Sequence, residues 1–222
     1  TRYIGDWSSD VCSSDLAITV TSGTGAPTSV RAYPTPVQRE LPLWVTAAGS
    51  PRTFERAGAI GANLLTHLLD HDVDELAEKI RLYRQARADH GHDPAAGQVT
   101  VMLHTFIGRD IESVHAAVRA PYCRYLKENV HLLKGLAVHR GSQMDLSTLS
   151  EADLDGFVGF LYERFFSTRA LLGTVDSCAP LVARLRAAGV NEIGCLLDFG
   201  PDTDAVLASL PALAELVAHA SQ

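Results

Sequence analysis

Short apolar runs that alternate with amphipathic stretches of helical period constrain this chain more than any other feature. Leu43-Trp44-Val45-Thr46-Ala47, Asn63-Leu64-Leu65-Thr66-His67-Leu68, Val99 to Phe106 and Glu192 to Leu197 read as strands. Helices are expected at about 51–60, 73–90, 110–119, 122–137, 151–166, 175–188 and 203–218. The helix over 151–166 repeats Leu154, Phe157, Val158, Leu161 and Phe165 at helical spacing. Strand-then-helix alternation predicts a parallel α/β sheet. Four such units fit a small doubly wound sheet or half of a barrel, and periodicity does not choose between them. Upstream, Ile18-Thr19-Val20 and Ser29 to Tyr33 read as hairpin strands, before Pro34 and Pro36 break regular structure. The polar segment 138–150 reads as a mobile loop.

Thr1–Leu16 (TRYIGDWSSDVCSSDL) stands apart, with Ser/Asp repetition and no amphipathic period. Asp6–Leu16 back-translates in one frame into a common short-read sequencing adapter, and Thr1–Gly5 fits the adapter sequence upstream of it. These residues are therefore expected to be non-native and outside the fold, with Ala17 a break point rather than a true start. A polar disordered tail is the alternative.

A formal net charge of -7 argues against a nucleic-acid surface. No apolar run reaches the ~18–20 residues of a membrane span, and no signal peptide is evident. Cys12, Cys123, Cys178 and Cys195 form no CxxC pair, so zinc and dithiol redox sites are not indicated. Cys178 and Cys195 are expected to be buried structural thiols, and a reducing cytoplasmic compartment is the default.

Three places carry candidate chemistry. The first is the join of strand and helix in Ala47-Ala48-Gly49-Ser50-Pro51-Arg52-Thr53. Gly49 permits close backbone approach, Ser50 suits an N-cap, and Pro51 suits the first helical position. Thr53 adds a second hydroxyl two residues further on. Backbone N–H groups, two hydroxyls and a positive dipole end make this a phosphate site. A plain helix cap is the alternative reading of the same residues. Neither a Walker loop nor a GxGxxG fingerprint is present.

The second is His67 and His104, toward the carboxyl ends of successive strands. In a barrel that end is the catalytic face, where a histidine orients a cofactor or donates a proton. Satisfied structural histidines are the alternative. His71, His90, His92, His115, His131, His139 and His219 are given no role, and Asp70 and Asp72 complete no metal set with His67. The third is Asp198-Phe199-Gly200, a βα-loop contact or a turn in which Asp202 starts the last helix. Arg52, Arg56, Lys79 and Arg81 read as solvated helix faces. Tyr122, Tyr125 and Lys127 read as packing residues, with a lid as the alternative.

The run PVQRELPLWVTAAGSPRTFERAGAIGANLLTHLL resembles the bacterial luciferase-like flavin monooxygenases, in particular the domain found in natural-product assembly lines. The resemblance continues through VTVMLHTFIGRD and LLGTVDSCAPLVARLRAAGVNEIGCLLDFGPDTDAVLASLPAL, and covers Ala17 to Leu216. It implies a (β/α)8 TIM-type barrel of which this chain is the C-terminal half, strands five to eight, over residues 17–222. It implies FMN, delivered reduced by a separate reductase, and O2 as co-substrate. Ala48, Gly49, Ser50 and Thr53 match the segment that holds the FMN phosphate, and His67 and His104 match pocket-facing strand ends. The substrate is then a small or carrier-bound organic molecule, and a homodimer is a candidate assembly. With strands one to four absent, this chain is expected to bind FMN poorly and to be inactive alone. A flavin-independent barrel acting on a phosphorylated substrate, and an inert half-barrel or interaction module, are the competing readings.

Overall fold

The computed structural model describes residues 17–31, 41–129 and 150–220. The expectations for Thr1–Leu16, for nearly all of the 138–150 loop and for the end of the 122–137 helix lie outside the described residues. An exposed antiparallel hairpin comes first, β1 (Ile18–Thr21) with β2 (Pro27–Val30), closed by a turn in which Gly25 sits at φ +84. The second hairpin strand thus begins two residues before its expected start.

The main sheet is entirely parallel, as alternating units require. β3 (Trp44–Thr46) pairs with β4 (Asn63–His67), and β4 with β5 (Val99–Ile107). β5 also pairs with β6 (Leu171–Gly173) at Thr105–Ile107 and with β7 (Glu192–Leu196) at Thr100–His104. Among the described residues β3 pairs only with β4, and β7 only with β5, so this sheet of five strands is open. The sequence reading anticipated four strands; β6 is the addition.

Six helices complete the described fold: α1 (Pro51–Ala59), α2 (Val73–Asp89), α3 (Ile111–Glu128), α4 (Glu151–Thr168), α5 (Val175–Ala187) and α6 (Thr203–Ala220). The two helices expected at 110–119 and 122–137 are one helix through Pro121, which therefore does not end α3. One core packs α1, α2, α5 and α6 on the sheet through Phe54, Leu64, Leu76, Tyr83, Val101 and Leu185. A second packs α3 and α4 over the carboxyl ends of β5 and β6 through Phe106, Tyr122, Tyr162, Phe165 and Phe199. α1 lies so close to α2 that a Cβ on Gly58 would overlap the Tyr83 carbonyl.

The opposite sheet face is only half covered. Strand alternation places Asn63, Leu65 and His67 there, half-buried, while Leu64 and Thr66 are buried under helices. Across it the Trp44 indole N–H donates to Thr100 Oγ1 (3.2 Å), and the Thr100 hydroxyl donates to Glu192 Oε2 (2.7 Å). Trp44 remains 44% exposed. Cys195, expected to be buried, is exposed on β7 beside a groove between α5 and α6, whereas Cys178 is buried as expected. There β7 leaves a groove against α5 and α6 rather than a packed contact, which an apolar sequence context does not reveal.

Candidate functional site

The turn from β3 into α1 differs from every other described helix start. Asp72, Asp110, Ser150 and Thr174 each accept a backbone N–H of the first turn of their own helix. Asp202 does the same for α6, accepting from Asp204 N–H (3.0 Å) and Ala205 N–H (3.1 Å), so its reading as a cap holds. Ser50 is in the N-cap position of α1 with extended backbone, yet its hydroxyl makes no cap hydrogen bond. The first turn of α1 also lacks an acidic residue, while the other five each carry at least one. Its dipole end is consequently neither capped by a side chain nor neutralised by a carboxylate. Ser50 is exposed, and Ala48, Gly49 and Thr53 are half-buried beside it.

The two candidate histidines lie on one face of adjacent strands. His67 ends β4 and is in register with Met102, and His104 lies two residues beyond Met102 on β5. The Leu69 backbone N–H donates to His67 Nδ1 at 3.2 Å. His104 is 5% exposed and enclosed by rings: Tyr122 at 4.6 Å, Tyr125 at 4.9 Å and Phe199 at 5.4 Å between centroids. Its Nδ1 is 3.2 Å from Tyr122 Oη, and its buried Nε2 has no hydrogen-bond partner. Phe199, from the Asp198-Phe199-Gly200 turn, thus reaches the site as a wall of the His104 pocket. Tyr122 and Tyr125 are packing residues, as read.

His71 was assigned no role from sequence, and it belongs here. It is fully buried, stacked on His67 at 6.5 Å with the rings 11° apart, and edge-on to Phe54 of α1 at 6.3 Å. Neither of its ring nitrogens has a hydrogen-bond partner. Its neighbour Arg169, also buried, donates to the Leu68 and Leu69 carbonyls (2.9 and 2.8 Å) and ties this loop to the start of β6. A polar Asp-His-Asp loop gives no burial pattern to read. The available signal was the four-residue step from His67, which the apolar Leu68 and Leu69 fold back into the core.

Electrostatics keep these rings neutral. Burial lowers His104 to about 4, with His67 adding to the effect and Asp198 opposing it. Burial lowers His71 to about 3, assisted by Lys79, His67 and Arg169. His67 is lowered by burial, against Asp70 and with Lys79. Lys79 is itself partly buried and lowered for that reason, so it is not the fully solvated lysine expected. Burial pushes the Tyr122 phenol well above its ordinary range. Neutral imidazoles beside protonated phenols supply hydrogen bonds rather than charge. Among the described residues no group of three or more His, Cys, Asp or Glu side chains could hold a metal ion. No described helix is long and apolar enough to cross a membrane.

These features define a parallel α/β domain with its candidate site at the carboxyl ends of its strands. The chain belongs to the luciferase-like monooxygenase family, whose sequence profile matches residues 19–192. No curated protein matches it. Among solved structures, it resembles monooxygenase RslO1 from Streptomyces bottropensis, at 16% identity and a TM-score of 0.62 over 95% of this chain and 58% of the other. It also resembles the oxygenating constituent of 3,6-diketocamphane monooxygenase from Pseudomonas putida, in complex with FMN, at 16% identity and a TM-score of 0.62, covering 96% and 60%. An F420-dependent secondary alcohol dehydrogenase is similar at 16% identity and 0.60, covering 94% and 58%. At such identities the likeness is one of fold. The chain spans about three fifths of the length of these structures.

Proposed function

We propose that this chain is the C-terminal part of an FMN-dependent luciferase-like monooxygenase that acts with reduced flavin and O2 on an organic substrate, free or carrier-bound. Ala48, Gly49, Ser50 and Thr53 hold the FMN phosphate, and His67 and His104 face the reacting centre. The observation that carries this reading is the start of α1, which alone among the described helices has neither a side-chain cap nor a first-turn acid. A dianionic phosphate is what such a helix end lacks. Membership of the luciferase-like monooxygenase family supports the flavin reading, and a neighbour of similar fold is described in complex with FMN.

Bound reduced flavin supplies the oxygen chemistry, and the protein positions the reactants and excludes water. In this chain the second task falls to the Tyr122, Tyr125 and Phe199 rings around His104. The electron source is a separate reductase, a homodimer is the candidate assembly, and the compartment is cytoplasmic.

The test is a flavin titration of the full-length gene product followed by an assay for O2 uptake dependent on reduced FMN. Ser50→Ala with Thr53→Val removes two hydroxyls from a charged acceptor, each worth about 1.5–3 kcal/mol. FMN affinity should then fall about a hundredfold or more. A full-length protein that binds no flavin would refute the proposal; a phosphorylated substrate on the same residues without visible flavin absorbance would favour the flavin-independent alternative.

A further inference from the structure

The hydrogen bonds around the two strand-end histidines determine which nitrogen of each ring carries its proton. At His67 the donor is a backbone N–H, that of Leu69, which has no choice but to donate. His67 Nδ1 is therefore an acceptor, and a neutral ring must carry its proton on Nε2. At His104 the partner is a hydroxyl, and two arrangements are open to the Tyr122 Oη–Nδ1 contact of 3.2 Å. If His104 Nδ1–H donates, the buried Tyr122 phenol proton has no acceptor and His104 Nε2 is a bare lone pair with no donor. If Tyr122 donates, His104 Nε2–H has no acceptor and Tyr122 Oη accepts nothing, so the number of unmet groups is the same. The phenol is the more acidic donor and the imidazole nitrogen the more basic acceptor, and an idle phenol lone pair costs less than a bare imidazole one, so the second arrangement prevails.

We infer that Tyr122 is a positioning residue: it fixes His104 in the Nε2–H form, the same form that Leu69 imposes on His67, so that neighbouring strands present two neutral N–H donors on one face. The burial that keeps both rings uncharged supports this. Donors of this kind fit an acceptor oxygen, a carbonyl or an oxyanion, and the unmet Nε2–H of His104, enclosed by its rings here, gains from one that displaces them. Tyr122 can hold the ring because it is pinned on α3, in edge contact with Phe199 (5.4 Å) and Tyr162 (5.9 Å). The role of these donors in catalysis rests on the monooxygenase reading; the protonation pattern itself does not.

The experiment is long-range 1H–15N correlation spectroscopy on the chain labelled at histidine, near neutral pH, with His67→Gln and His104→Gln used to assign the signals. The expected result is the Nε2–H pattern for both rings. Tyr122→Phe keeps the ring and deletes the hydroxyl, and should move His104 to a mixture of forms while His67 is unchanged, which also reports an intact sheet. An Nδ1–H pattern for His104 in the unaltered chain overturns the inference whether or not the variant folds. So does a folded Tyr122→Phe variant whose His104 signal is unmoved. Correct patterns in a protein whose full-length form shows no reduced-FMN-dependent O2 uptake would sink the monooxygenase reading and leave this inference standing.

Discussion

At the scale of single residues, the helix starts separate structure from function. Asp72 closes a capping box with Glu75 on α2, and its replacement by alanine should lower stability by about 1 kcal/mol in urea denaturation. Ser50→Ala, at the start of α1, should change stability by no more than a few tenths of a kcal/mol, because its hydroxyl caps nothing. Equal losses for the two variants would show that Ser50 serves its helix after all. The histidines make a second prediction. His104 and His71 have folded values lowered to about 4 and about 3 from an ordinary 6.5. Above 6.5 both states are neutral and stability is at its plateau. As the pH falls below 6.5 the unfolded chain takes up protons that the folded chain refuses, so stability declines until the folded values are reached. For His104 that amounts to about 3 kcal/mol. A flat stability profile between pH 6.5 and 4 would contradict it. His104 could be picked out beforehand because it follows an apolar run on a strand; His71 is harder to read, because its burial comes from Phe54 of α1 and from a loop that folds back onto His67, which no apolar period announces.

Among elements, those with an apolar period of their own were legible and β6 was not. β4, β5 and α2 lie within a residue or so of their expected limits, since each carries its own period of apolar residues. β6 has three residues, and its strand character comes wholly from pairing with Thr105–Ile107, far away in sequence. α3 failed the opposite way. Pro121 reads as a break, but the apolar face of Val114, Val118, Tyr122 and Leu126 carries the helix past one missing N–H. In the candidate site the α1 start was legible from Gly49, Ser50 and Pro51, whereas its lack of a cap bond was not, because serine at an N-cap ordinarily makes one. The closest helix contact gives a further test. Gly58→Ala places a methyl against the Tyr83 carbonyl and must push α1 from α2. A loss of about 1–3 kcal/mol is expected, measured by thermal or urea unfolding; no loss would mean that α1 slides freely.

On the level of the whole molecule, the dominant fact is that among the described residues the parallel sheet is open and one face only half covered. Parallel sheets are ordinarily covered on both faces, and unpaired strand edges invite association. Leu41, Leu43 and Trp44 are exposed on or beside β3. Light scattering or sedimentation should accordingly find concentration-dependent association of this chain. A chain that stays monomeric at high concentration would argue that the face is stable in water. The hydrogen-bonded indole on that face has one more use. Trp44 is one of two tryptophans in the chain, the other being Trp7. In a Trp7→Phe background its emission becomes a built-in optical gauge of the sheet: whatever lies down over β3, β5 and β7 must dry the ring, and the colour of its fluorescence will shift to the blue as it does.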